Sequence, residues 1–166
     1  MSPTRRELLE AGWKVGSGLL VAAAGWTTFE ALKPLANVSG GGVLPLLSPD
    51  AYPEGSATFV RAGRFFVTRA KDELFAISQK CPHLGCAVPF CEASGHFECP
   101  CHGSKYNAAG EWISGPAPRG MDRYPVQIVD GRVTVNTTVL EQGAPLGSRL
   151  YDTPSRGGSC APAIEG

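Results

Sequence analysis

The sequence carries no excess of either charge: Lys+Arg and Asp+Glu number 15 each, and charged residues make up only 18% of the chain. Without a basic stripe to neutralise phosphates, it offers nothing to a nucleic-acid partner. There is no internal repeat, which argues against a solenoid. Low complexity is also missing, although Gly (21) and Pro (14) together supply about a fifth of the residues. That share points to a loop-rich, all-β domain. Of six cysteines, Cys81, Cys86, Cys99 and Cys101 fall in two short boxes and mark a site, while Cys91 and Cys160 stand apart.

Residues 1–32 differ from the rest. Thr4-Arg5-Arg6-Glu7-Leu8-Leu9 precedes a mostly apolar run from Val15 to Leu32. At ~1.5 Å per residue, this run reaches about 27 Å, close to the thickness of a hydrocarbon core. Lys14 and Glu30 lie near its ends, where they can snorkel. An amphipathic helix on a soluble domain is disfavoured, because Leu19-Leu20-Val21-Ala22-Ala23-Ala24 is apolar on every face. The paired arginines resemble a twin-arginine export signal, which carries folded proteins with their cofactors in place. Ala22-Ala23-Ala24 offers a cleavage site, but the run is long enough to remain as an anchor. Arg5, Arg6 and Lys14 then place the N-terminus in the cytoplasm and the remainder outside.

Residues 33–46, with Gly40-Gly41-Gly42, read as a flexible hinge linker. The main domain spans 47–140. Within it Thr58–Arg61 and Arg64–Thr68 flank Ala62-Gly63 as a short hairpin, and Leu74–Ile77 follows a polar turn. Further on, Val126–Val129 and Arg132–Asn136 flank Asp130-Gly131, a strong two-residue turn signal. Residues 141–166 lack periodicity and read as an extended tail. His96 reads as a solvated loop residue.

The chemistry lies in Cys81-Pro82-His83-Leu84-Gly85-Cys86 and Cys99-Pro100-Cys101-His102-Gly103-Ser104, with 15 residues between His83 and Cys99. Each box offers one soft thiolate and one imidazole, so two loops can clamp a binuclear cluster from both sides. A zinc site uses the same atoms, but zinc motifs usually pair Cys with Cys or His with His at close spacing. Here each box mixes the two types and leaves a cysteine over.

These boxes, in this order, resemble the Rieske iron–sulfur family, over roughly residues 56–140. The resemblance implies a head of small antiparallel sheets with one [2Fe–2S] cluster at the tip of a subdomain. Cys81 and Cys99 would hold the inner iron, His83 and His102 the outer, solvent-facing one. It further implies a Cys86–Cys101 disulfide and a covering loop at Gly115-Pro116-Ala117-Pro118-Arg119. Ser104 and Tyr106 match the family's hydrogen-bond donors to cluster and ligand sulfurs. Leu84 would shield the cluster. Two neutral imidazoles in place of thiolates remove two negative charges, which raises the potential into a span of roughly −150 to +300 mV.

The expected function is the Rieske electron-transfer subunit of a bacterial cytochrome bc complex. It would take an electron and a proton from quinol, with His102 and His83 at the reacting face. The electron would pass to a c-type cytochrome, with cytochrome b as neighbour. The head would stand on the periplasmic or extracellular side of the cytoplasmic membrane. The alternative is the small subunit of an exported molybdenum oxidase of the arsenite-oxidising type. A soluble ferredoxin fits neither the leftover cysteine pair nor the N-terminal segment. Cys91 and Cys160, both outside the cytoplasm, are open to three fates: an internal bridge, free thiols, or a bond from Cys160 to another subunit.

Overall fold

The computed structural model describes residues 3–32 and 41–160. Most of the expected hinge lies outside the described residues. In chain order the elements are α1 (Arg5–Leu32), β1 (Val43–Pro45), a 3₁₀ turn at Pro49–Ala51, β2 (Ala57–Val60), β3 (Phe65–Ala70) and β4 (Glu73–Ser78). There follow β5 (Phe90–Cys91), β6 (His96–Glu98), β7 (Lys105–Tyr106), β8 (Trp112–Ser114), β9 (Arg123–Tyr124), β10 (Val126–Val129) and β11 (Arg132–Asn136).

The helix α1 begins on a capping box. Thr4 donates its N–H to the Glu7 carboxylate at 2.8 Å, the Glu7 N–H returns to Thr4 Oγ1 at 3.4 Å, and Leu8 N–H reaches Thr4 O at 3.1 Å. None of its 28 residues is buried, and by length and composition the helix could cross a membrane.

The head is built from three antiparallel sheets, in the orders β1-β11-β10, β2-β3-β4-β9 and β5-β6-β7-β8. The strand β3 explains how they join. Its Phe65-Phe66-Val67 run is apolar without alternation because both faces are buried. Phe65 and Val67 enter a base core with Tyr52, Ala76, Val133 and Val135. Phe66 enters a second core with Phe75, Ile77, Val88, Phe97, Tyr106 and Met121. The register follows the same division, Phe66 opposite Ile77 and Val67 opposite Ala76. One sheet is thus the wall between the base and the subdomain that carries the two cysteine boxes.

Turn chemistry sets the hairpins. Asp130 and Gly131 have φ of 51° and 71°, the left-handed pair that a two-residue turn between twisted strands requires, and Lys71 and Asp72 (47°, 65°) repeat it between β3 and β4. The β2–β3 connection is longer than the expected Ala62-Gly63 pair. Pairing ends at Val60 with Phe65, leaving Arg61–Arg64 as the loop. The Phe65 ring tucks beneath the turn, where a Cβ on Gly63 would meet it at 2.3 Å.

Two boundaries differ from the reading above. Val43–Pro45, assigned to the linker, pairs with β11 as β1, and Gly42 N–H bonds Thr137 Oγ1 at 2.9 Å. A three-residue strand leaves too short a pattern to separate from a linker. The described tail, 141–160, is extended but docked along the head, as described below.

Candidate metal centre

The two boxes fold into one backbone pattern used twice. In the first, Cys81 N–H bonds Cys86 O at 2.8 Å and Gly85 N–H bonds Cys81 O at 2.9 Å. In the second, Cys99 N–H bonds Ser104 O at 2.8 Å and Gly103 N–H bonds Cys99 O at 3.1 Å. Each loop therefore opens on a cysteine, continues through proline, and turns at a glycine with φ of 80° (Gly85) or 69° (Gly103). A side chain at either glycine would strain that turn. The pattern explains the Cys-Pro-x-x-Gly spacing common to both boxes.

These loops sort the donors by depth. Cys81 and Cys99 are buried, 3% and 2% exposed, and both are free thiols. His83 is half-buried and His102 exposed, with ring centroids 4.9 Å apart and planes at 87°. Sulfur lies inside and imidazole outside, the sorting a binuclear cluster with two unlike irons needs. Cys86 and Cys101 are joined as a disulfide with Cα atoms 6.7 Å apart, so neither has a thiolate to offer. The four remaining donors fit a [2Fe–2S] cluster.

Around the thiols lie the groups that would tune them. Tyr106, fully buried, has its hydroxyl 3.2 Å from Cys81 Sγ. Burial, and then its bond to Cys81, push that hydroxyl well above the ordinary tyrosine range, so it stays a neutral donor. Burial likewise pushes the Cys99 thiol up, opposed by the backbone N–H groups of Cys101 and His102. Those N–H groups favour negative charge on the sulfur. Ser104 Oγ accepts the Ala117 N–H at 3.2 Å, which ties the Gly-Pro loop to the second box and leaves the hydroxyl proton for another acceptor. Gly115 (φ 96°) lies against the same box, where a Cβ would fall 2.5 Å from Ser104 Cα. Pro116 is exposed on that loop, and Leu84 is 71% exposed beside His83.

His96 departs from the reading above. It lies in β6, 7% exposed, with Nε2 2.7 Å from Thr153 O. The tail buries it, which no local pattern around His96 announces. Cys91 and Cys160 form an internal disulfide with Cα atoms 5.7 Å apart. Sequence reasoning also missed Glu98, Asn107 and Glu111, all buried. Asn107 and Glu111 close the turn after β7, with Glu111 N–H on Asn107 Oδ1 at 2.8 Å and Asn107 Nδ2 on the Glu111 carboxylate at 2.8 Å. Their i, i+4 spacing around Ala108-Ala109-Gly110 was the available signal.

The comparisons with known proteins agree with this geometry. A family model described as the Rieske [2Fe-2S] domain matches residues 43–125, half of the chain. The cytochrome b6-f complex iron-sulfur subunit of Chlorobaculum tepidum is 48% identical over 63 residues, covering 38% of this chain and 35% of that protein. The chloroplastic subunit of Pisum sativum is 49% identical over 61 residues, 36% of this chain and 26% of its own. The chain thus spans about a third or less of the length of these curated relatives. Among solved structures, the plasma membrane Rieske protein of Synechocystis PCC 6803 is 28% identical with a TM-score of 0.40, covering 61% of this chain and 93% of that one. With the matched segment running from β1 through both boxes to the Gly-Pro loop and β9, the chain belongs to the Rieske family and binds a [2Fe-2S] cluster of that type.

Proposed function

We propose that Cys81, Cys99, His83 and His102 hold the cluster, and that the chain is the Rieske subunit of a quinol–cytochrome c oxidoreductase of the cytochrome bc or b6-f kind. When bound, the cluster supplies one-electron redox chemistry. The observation that carries the reading is the sorting of the donors: two buried thiols behind two imidazoles, with the outermost ring, His102, open to solvent.

The residues divide the work by position. His102 stands where a quinol hydroxyl can approach, accepts its hydrogen bond and takes its proton. His83 stands beside it at the same face. Leu84 and Pro116, both exposed, give an apolar surface to a quinol or to cytochrome b. Tyr106, as a neutral phenol on Cys81, and the N–H groups at Cys99 stabilise added negative charge, which raises the potential. The family relatives, named as cytochrome b6-f subunits, support this reading over the molybdenum-oxidase alternative. The α1 helix serves as an uncleaved twin-arginine anchor with Arg5 and Arg6 on the cytoplasmic side and the head on the outer side.

In membranes holding the full chain, quinol should reduce the centre seen by electron paramagnetic resonance (EPR), and an oxidised c-type cytochrome should reoxidise it. A centre that stays oxidised under excess quinol overturns the proposal.

A further inference from the structure

The sheet β5-β6-β7-β8 has two faces. Phe97 and Tyr106, opposite each other in register, look into the core that contains Cys81 and Cys99. Strand alternation puts His96, Glu98 and Lys105 on the other face, with Cys91 opposite His96 and Glu98 opposite Lys105. A short antiparallel sheet ordinarily leaves such a polar face to water. Here residues 150–160 lie across it, and His96 and Glu98 are buried as a result.

The contacts along this segment are specific. At its start, Leu150 and Tyr151 donate their N–H groups to the Glu111 carboxylate at 2.9 and 3.1 Å, and Tyr151 O accepts from Asn107 Nδ2 at 2.6 Å. In the middle, Thr153 O meets His96, and Arg156 N–H bonds Ser94 O at 2.9 Å. At its end, Ser159 Oγ and Cys160 N–H both reach the Glu98 carboxylate at 2.7 Å, and the Cys91–Cys160 disulfide closes the run.

Glu98 immediately precedes Cys99, and Glu111 closes the turn after Tyr106. Both carboxylates are almost wholly buried, 2% and 1% exposed. A buried carboxylate is tolerated only while hydrogen bonds replace its water, and here the strap brings donors to both. The two anchor points bracket the segment 98–111, which holds Cys99, His102, Ser104 and Tyr106.

We propose that residues 150–160 are a disulfide-latched strap that fixes the second cluster box and Tyr106 from behind, with Glu98 and Glu111 as positioning residues. The inference rests on the ligand assignment above. Releasing either end frees one side of segment 98–111. The four donors remain, but they are no longer held in one arrangement.

The test compares Cys160→Ser, Glu98→Gln and Ser159→Ala with the parental holoprotein, the last being mild enough to fold where the others do not. Glu98→Gln turns one acceptor oxygen into an NH₂ facing donors. Three readouts are taken: the rate of tryptic cleavage at Arg156, the EPR line shape with midpoint potential, and the half-life of the cluster in air. Cys160→Ser and Glu98→Gln should be cut faster and should lose the cluster more than about five-fold faster, five-fold being the factor that one lost hydrogen bond of ordinary net strength represents. Their EPR lines should broaden and the midpoint should move. Ser159→Ala should change the same way, by less. Faster cleavage with parental line shape, midpoint and half-life would reduce the strap to a covering and overturn the proposal, as would parental cleavage rates in all three. Cys81→Ser, run beside them, should hold no Rieske centre. If it keeps one, the ligand assignment fails, and the strap is judged separately by its own cleavage and line-shape results.

Discussion

The base and the cluster-binding subdomain are both small antiparallel sheets, yet they are held by different means. The base has strands of up to five residues, a two-residue turn at Asp130-Gly131 and an apolar core of Tyr52, Phe65, Val67, Val133 and Val135. The cluster subdomain has strands of two or three residues, and its apolar core of Phe66, Phe75, Ile77, Val88, Phe97, Tyr106 and Met121 is shared with the wall sheet. It adds two disulfides, two glycine-turned loops, buried carboxylates and the 150–160 strap. Apolar burial holds both parts, and in the tip covalent links and satisfied polar groups are added, which give it one fixed geometry. Stability and redox tuning should therefore respond to different substitutions.

The largest effect is expected at the donors. Cys81→Ser or Cys99→Ser should abolish the Rieske EPR signal altogether while the base stays folded, as read by circular dichroism. Next comes the base core: Phe65→Ala empties a fully buried site and should cost about 3–5 kcal/mol, with the midpoint potential unchanged. Chemical denaturation and a redox titration of the same sample check both halves. Cys86→Ser removes a cross-link closing a short loop, expected to contribute about 3 kcal/mol, and should make the cluster labile with its four donors intact. Cluster half-life in air measures this. Tyr106→Phe is the smallest in stability, about 1 kcal/mol for a lost hydrogen bond, but should lower the midpoint potential because a donor to Cys81 is gone. If Phe65→Ala shifts the potential as much as Tyr106→Phe does, the division between base and tip fails.

The legibility of the sequence follows the same line. The Asp130-Gly131 hairpin, the apolar α1 run and the two boxes are local patterns, each carried by residues close in the chain. The three-sheet head followed from the family resemblance that the boxes carry. The strap was not legible, because its partners lie far away in sequence: Thr153 on His96, Cys160 on Glu98, Leu150 on Glu111. For the same reason His96 read as a solvated residue. The strand β1 was missed because Val43–Pro45 becomes a strand only by pairing with β11, about ninety residues on. The doubled loop pattern is recoverable from sequence in retrospect, since both boxes place Gly four residues after the first Cys. The differing histidine positions, third in one box and fourth in the other, hide the likeness.

The central claim is that two buried thiols and two outward imidazoles make a high-potential centre. A redox titration of the holoprotein, followed by EPR, tests it most directly. The account predicts a positive midpoint inside the Rieske span of roughly −150 to +300 mV. A midpoint near roughly −400 mV, the range of plant-type all-cysteine clusters, would contradict it.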